Sequence, residues 1–109
     1  MGDITWLPLG SAVRVHGVEP PVAIAGFMFI DRDSGQPWDY IGYPYPVGRV
    51  SPREAILFNR DQVEHVLLTG YLDAEGLAFG TLLDMREGQF EEEKKRYLFG
   101  DDGEAGERQ

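Results

Sequence analysis

Residues 22–30 read Val22-Ala23-Ile24-Ala25-Gly26-Phe27-Met28-Phe29-Ile30, a run that is apolar on both faces of an extended chain. A strand without a polar face belongs inside a sheet, or bends so that it serves two layers. Gly26 lies at the middle of the run, where the missing side chain favours a bulge or a kink. The stretch therefore predicts a central, bent strand around which the rest of the domain is arranged.

The segment before this strand has the period-two alternation of a half-buried strand. Val13 and Val15 fall on one side of the extended chain, and Arg14 and His16 fall on the other. The Glu19-Pro20-Pro21 sequence then forces an extended turn, because proline fixes its own φ and steers its predecessor away from helix. We expect an antiparallel hairpin between this first strand and the central one.

The segment after the central strand begins with a polar turn at residues 31–37 and returns to strand-like sequence at residues 38–43. The sequence Tyr43-Pro44-Tyr45-Pro46-Val47-Gly48 follows, and its two prolines remove ladder donors. It cannot be a central strand for that reason. The sequence thus predicts a third strand and then the longest loop of the domain.

Residues 59–71 admit two interpretations. Asn59 is a good N-cap, Val63, Val66 and Leu67 have helical spacing, and Gly70 is a suitable helix end. The alternative is a single turn at Asn59 followed by a β-strand over residues 63–71. We favour the strand, because the three earlier strands still need a closing partner.

The C-terminal third is acidic but contains apolar residues at helical spacing, which predicts a C-terminal helix. Residues 100–109 have almost no apolar content and are expected to form a disordered acidic tail. The predicted organisation is a single β-rich domain with its helix over residues 1–99, followed by that tail. The fold class is α+β, mostly β: a small curled antiparallel sheet, or an SH3-like partial barrel, of four to five strands with the helix packed across it.

Composition excludes several classes of function. The 109 residues contain no Cys, which removes disulfides and thiolate metal sites, and the formal net charge of -9 repels nucleic acid. The longest apolar run, residues 20–30, is far too short to span a bilayer. No basic, apolar leader opens the sequence. We therefore expect a cytoplasmic protein with no nucleic-acid partner and no membrane insertion.

The sequence offers little for catalysis. It contains none of the phosphate-binding, dinucleotide-binding, nucleophile-elbow or zinc-helix motifs. His16 and His65 are the only histidines, so a metal site would require both to converge with carboxylates. The run Glu91-Glu92-Glu93 is interpreted as a solvated helix face. We predict no enzymatic activity, no cofactor and no metal.

Two segments are candidates for binding another protein. The first is the aromatic stretch that contains Trp38, Tyr40, Tyr43 and Tyr45, since these side chains combine large contact area with a polar group. In the alternative, Trp38 and Tyr40 share one strand face and fill the core. The second candidate is the C-terminal helix with Phe90 and Tyr97, which packs on its own sheet or docks on helices of a partner.

Five stretches of the sequence form a recognisable series. They are Leu7-Pro8-Leu9-Gly10-Ser11 with Val13, Ile24-Ala25-Gly26, Asp39-Tyr40-Ile41-Gly42-Tyr43-Pro44-Tyr45-Pro46 with Gly48, Phe58-Asn59-Arg60-Asp61, and Val66 with Gly70-Tyr71. In this order and spacing they resemble a bacterial family known as domain of unknown function 4176. The resemblance covers residues 7–83, although Trp38, Tyr43 and the acidic stretch after Arg96 depart from the family pattern.

Members of this family are often encoded beside type VII secretion genes and their LXG-type toxins. The resemblance implies a non-catalytic accessory protein, an adaptor or a chaperone-like partner, that binds a secreted toxin's N-terminal helical region or a secretion component. One alternative is an immunity protein that blocks the toxin, for which an acidic surface suits a nuclease target. Another is a small-ligand-binding or enzymatic domain.

Overall fold

The fold is a five-stranded antiparallel sheet with one long helix across a face. The computed structural model describes residues 5–99, so the predicted acidic tail lies outside the described residues. The strand order is β4-β3-β2-β1-β5. The elements are β1 (Ala12–Val15), β2 (Val22–Ile30), β3 (Pro37–Pro44), β4 (Ile56–Phe58), β5 (Val63–Leu68) and α1 (Ala74–Phe99), with 3-10 turns at Pro52–Glu54 and Arg60–Gln62.

The apolar run forms β2, which is the central strand, as its sequence predicts. Its pairing with β3 shifts register between Ile24 and Gly26, which confirms the bulge at Gly26. A Cβ atom at Gly26 would approach Ile41 Cγ2 to 2.9 Å. Glycine is therefore required there by the close approach of β3.

A second irregularity in β2 lies at Met28, whose φ is 49°. Phe27 is paired with Tyr40 and Phe29 with Trp38 on either side of it. Phe27 contacts the helix through Phe79, with ring centroids 5.6 Å apart, and Met28 lies beside Phe90 of the same helix. Phe27 and Met28 are consecutive residues, yet both face the helix. The strict alternation of β2 is therefore broken at this point.

The segment after Asn59 is a turn followed by a strand, which confirms the favoured interpretation. The Gln62 N–H donates to the Asn59 carbonyl at 3.0 Å and closes one 3-10 turn, and the Asn59 N–H donates to Gln62 Oε1 at 2.8 Å. The chain then pairs with β1 through β5. This strand ends at Leu68, three residues before the predicted end at Tyr71.

The core lies between the sheet and α1. Its centre is Tyr40, 1% exposed, whose ring lies 5.6 Å from Trp6 and 5.3 Å from Phe58. The Tyr40 hydroxyl accepts the Leu7 N–H at 2.9 Å, and burial raises the pKa of that hydroxyl. Val13 and Val15 are buried from β1, as their alternation predicts.

The α+β class and the C-terminal helix are confirmed, and the sheet is open rather than closed into a barrel. Its edges are β4 and β5. Leu83 and Phe90 are the buried residues of α1. Within residues 5–99, no helix has the combination of length and apolar character needed to cross a membrane.

Candidate functional site

A wide groove of about 940 Å³ lies on the sheet, and none of its lining residues comes from α1. We call it the arginine groove. Its floor is Phe29 of β2, Ile41 and Tyr43 of β3, and Leu57 of the edge strand β4. Its walls come from the β2–β3 and β3–β4 loops and carry Arg32, Arg49, Arg53, Asp31, Asp33 and Ala55.

Strand geometry explains why these side chains meet. Ile41 follows the buried Tyr40 and is paired with Leu57 of β4, so both lie on the face opposite the core. Phe29 is paired with Trp38. Since paired side chains share a face, Trp38 lies on the groove side of the sheet.

The interpretation that placed Trp38 and Tyr40 on one strand face is therefore wrong. Their partners Phe29 and Phe27 lie on opposite sides, because the alternation of β2 changes at Met28. Asp39, between them in sequence, is buried against the helix side. Because of this irregularity, Tyr40 faces the core and Trp38 faces the groove side of the sheet.

The remaining residues of the aromatic stretch are more accessible. Tyr43 is partly buried in the groove floor, and Tyr45 is 62% exposed in the loop that follows β3. Tyr40 is a core residue, and its ring is not available to a partner in this fold. Of the four aromatic residues of this stretch, Tyr43 lines the groove itself, whereas Tyr45 lies in the loop that follows β3.

The groove concentrates positive groups in an acidic protein. Three of the ten basic residues of the chain line it: Arg32, Arg49 and Arg53. None of these three guanidinium groups forms an ion pair within the described residues. A guanidinium group presents several planar donors and matches a carboxylate in two-point geometry. Asp31 and Asp33 lie on the same rim, so the groove offers an apolar aromatic floor and a small excess of positive charge, from arginines that form no ion pair within residues 5–99.

On the helix side of the sheet, Asp39 joins β3, the Arg60–Gln62 turn and α1 in a charged cluster. Its carboxylate is 2% exposed and accepts the Arg60 backbone N–H at 2.9 Å and Lys94 Nζ at 3.0 Å. Asn59 Oδ1 accepts the Asp39 N–H at 3.0 Å. The cluster brings together two stretches on which the family resemblance rests, residues 39–46 and residues 58–61.

The helix supplies the other half of this cluster. Arg60 pairs with Glu87 at 2.9 Å and lies 4.2 Å above the centre of the Trp6 ring. The hydrogen bond from Arg60 lowers the pKa of the Glu87 carboxyl. Glu91 accepts Lys94 Nζ at 3.1 Å, so the acidic run at residues 91–93 is not wholly a solvated face.

Sequence reasoning missed this cluster. One signal was present, since Glu87, Glu91 and Lys94 have the spacing of one helix face. Its partners Asp39 and Arg60 are distant in the chain, and nothing local to either residue indicates the contact.

The two candidates on the helix have different environments. Phe90 is buried, and Lys94 Nζ lies 5.8 Å from the centre of its ring. Tyr97 is exposed on the last turn of α1. Only Tyr97 presents a surface that a partner can reach in this fold. Within residues 5–99, no group of three or more His, Cys, Asp or Glu side chains is arranged to hold a metal ion.

Comparison with known proteins identifies the family. The model of domain of unknown function 4176 matches residues 6–79, which include all five strands, the groove floor, Asp39 and Arg60. Glu87, Glu91 and Lys94 lie beyond the matched span. No curated protein and no solved structure matches this chain. Because the match covers more than half of the sequence, the chain belongs to the domain-of-unknown-function 4176 family.

Proposed function

We propose that this protein is a non-catalytic adaptor of a type VII secretion locus, acting in the cytoplasm. It binds a toxin substrate through that substrate's N-terminal helical region. The association with type VII secretion comes from the family resemblance. The arginine groove is the contact surface that supports this proposal.

The observation that carries the proposal is the set of three arginines around an aromatic floor, none of them ion-paired within residues 5–99. Arginine and aromatic residues are the side chains that dominate binding energy in protein interfaces. Unpaired guanidinium groups in a protein of net charge -9 favour a partner with carboxylates at matching positions. The partner segment is therefore expected to present acidic side chains beside apolar ones.

Affinity capture of the tagged protein from its native cytoplasm, with mass spectrometry, tests this function. Recovery of a toxin with binding mapped to its N-terminal helical region supports the adaptor. Binding mapped to the toxin's C-terminal domain would replace it with the immunity alternative. Repeated capture of no protein would favour the ligand-binding or enzymatic alternative.

The role of the groove is tested by charge reversal in the double variant Arg49→Glu/Arg53→Glu. Both residues are exposed loop residues, so the fold should persist, while capture of the toxin should fall by at least about tenfold, the equivalent of about 1.4 kcal/mol. The matched control is Arg86→Glu/Lys95→Glu, the same change in charge at two exposed residues of α1 outside the groove. Equal capture by the double variant and the control would show that the groove is not the contact surface.

A further inference from the structure

A second concave surface lies on the helix side of the sheet. This cleft, of about 370 Å³, is enclosed by residues 6–9, Phe27, the linker at residues 71–73 and the first turns of α1. We call it the apolar cleft. It shares no lining residue with the arginine groove, so any ligand that it takes is independent of the function proposed above.

Large apolar side chains around this cleft are open to solvent. Leu9 is 54% exposed, Tyr71 is 82% exposed and Phe79 is 46% exposed, and all three line it. Leu77, on the neighbouring turn of α1, is also exposed. Scattered exposed apolar residues are ordinary, but several around one concavity indicate an interaction site.

The helix wall of the cleft is partly bare backbone. Gly80 lines the cleft, and a Cβ atom built there would meet nothing within 4 Å. A glycine inside a helix costs about 1 kcal/mol relative to alanine. No packing contact within this fold requires that glycine, whereas a side chain entering from outside would occupy the space beside it.

The surrounding backbone favours a helical occupant over a strand. The Leu7 N–H is already donated to the Tyr40 hydroxyl, and the Gly10 N–H is donated to the Ile24 carbonyl. The donors of α1 are satisfied within the helix, beyond its first turn. The Leu7 and Gly10 N–H groups are therefore not available to an added strand, whereas an amphipathic helix satisfies its own backbone and contributes only side chains.

The charges at the rim specify the occupant. Asp73 accepts the Gly76 N–H at 2.9 Å and caps the helix, while Glu75 is exposed and forms no ion pair within the described residues. Both carry negative charge at the mouth of an apolar site in a protein of net charge -9. The same charge repels anionic lipid surfaces. A protein segment with basic residues beside its apolar ones is the complementary ligand.

We propose that the apolar cleft binds an amphipathic α-helix of another protein, one that inserts apolar side chains beside Gly80 and places lysine or arginine against Glu75. The protein then has two binding faces on opposite sides of one sheet. The arginine groove selects acidic segments, and the apolar cleft selects basic amphipathic helices.

The probe is a synthetic helical peptide with leucine on one face and lysine on the other, labelled for fluorescence anisotropy with the full chain. A matched peptide carries glutamate in place of lysine. The Leu/Lys peptide should bind at least about tenfold more tightly than the Leu/Glu peptide, a difference of about 1.4 kcal/mol. Absence of binding to the Leu/Lys peptide, or equal binding of the two peptides, would overturn the proposal.

The deciding variant is Gly80→Leu, which fills the cleft from the helix side. Its control is Gly88→Leu, on the same helix but outside the cleft, where an added Cβ also meets nothing within 4 Å. Leucine has the higher helix propensity, so both variants should keep their fold. Binding of the Leu/Lys peptide should fall at least about tenfold in Gly80→Leu alone. Equal binding by both variants would show that the peptide binds elsewhere.

Three further variants locate the charge selection and separate the two binding faces. Glu75→Gln should weaken binding of the Leu/Lys peptide by up to about fivefold, as expected for an exposed ion pair. Glu92→Gln, which removes the same charge from an exposed site on α1, should leave binding unchanged. Tyr43→Ala, in the arginine groove, should also leave it unchanged, and a loss there would contradict an independent cleft.

Discussion

The two halves of α1 are attached to the sheet by different forces. The first half contacts the sheet through apolar side chains, with Phe79 against Phe27 and Leu83 buried, and it borders the open apolar cleft. The second half also buries Phe90, but it adds a charged cluster in which Glu87, Glu91 and Lys94 pair with Arg60 and Asp39. Apolar contacts tolerate an adjacent opening, whereas a charged cluster with a buried carboxylate requires every partner to be present.

The largest expected effect comes from removing the buried carboxylate in Asp39→Ala. Arg60 and Lys94 would then lose the group between them, and breaking a buried ion pair by removing one partner costs about 3–5 kcal/mol. The free energy of unfolding, measured by urea denaturation, should fall by that amount. Asp33→Ala, an exposed loop residue, should change it by less than about 0.5 kcal/mol. A similar small loss in both variants would mean that the cluster contributes little to attachment.

A smaller loss in the free energy of unfolding is expected from Leu83→Ala, in the first half of α1. Deleting a buried leucine costs about 2–5 kcal/mol. We expect the low end of that range, because Leu83 borders the cleft and its surroundings can relax into that space. Leu82→Ala, an exposed neighbour, is the control for helix propensity. A loss in Leu83→Ala larger than in Asp39→Ala would reverse the comparison between the two halves of the helix.

The smallest effect is the pH dependence of the charged half. The pKa of Glu87 is lowered in the folded state, first by its hydrogen bond from Arg60. Its contribution to stability is therefore present above the pKa of the unfolded state and is lost as pH falls through the lower, folded pKa. The urea midpoints of the wild type and Glu87→Gln should differ at neutral pH and converge on acidification.

Glu92→Gln provides the control for that measurement, since Glu92 is exposed on the same helix. Its midpoint should follow the wild type at every pH. A constant difference between Glu87→Gln and the wild type down to the most acidic conditions would mean that the ion pair with Arg60 does not titrate as the structure implies.

Much of the fold was predictable because its signals are local. The alternation around Val13 and Val15, the apolar run of β2 and the turn at Asn59 each lie within a few residues of the structure that they specify. The candidate site was less predictable. Tyr43 and Tyr45 were identified by their residue types, but their accessibility depends on the face of β3 that Tyr43 occupies and on the course of the loop that carries Tyr45.

The sequence by itself determined the types of β1, β2, β3 and α1, the central place of β2 and its bulge at Gly26, because side-chain periodicity and backbone freedom act over short distances. Only the tertiary structure decided that Trp38 and Tyr40 lie on opposite faces, since the change in alternation at Met28 depends on the paired strand. It also decided the meeting of Asp39, Arg60 and Lys94. Burial of a carboxylate is stable only where distant parts of the chain supply cations, and no local pattern records that requirement.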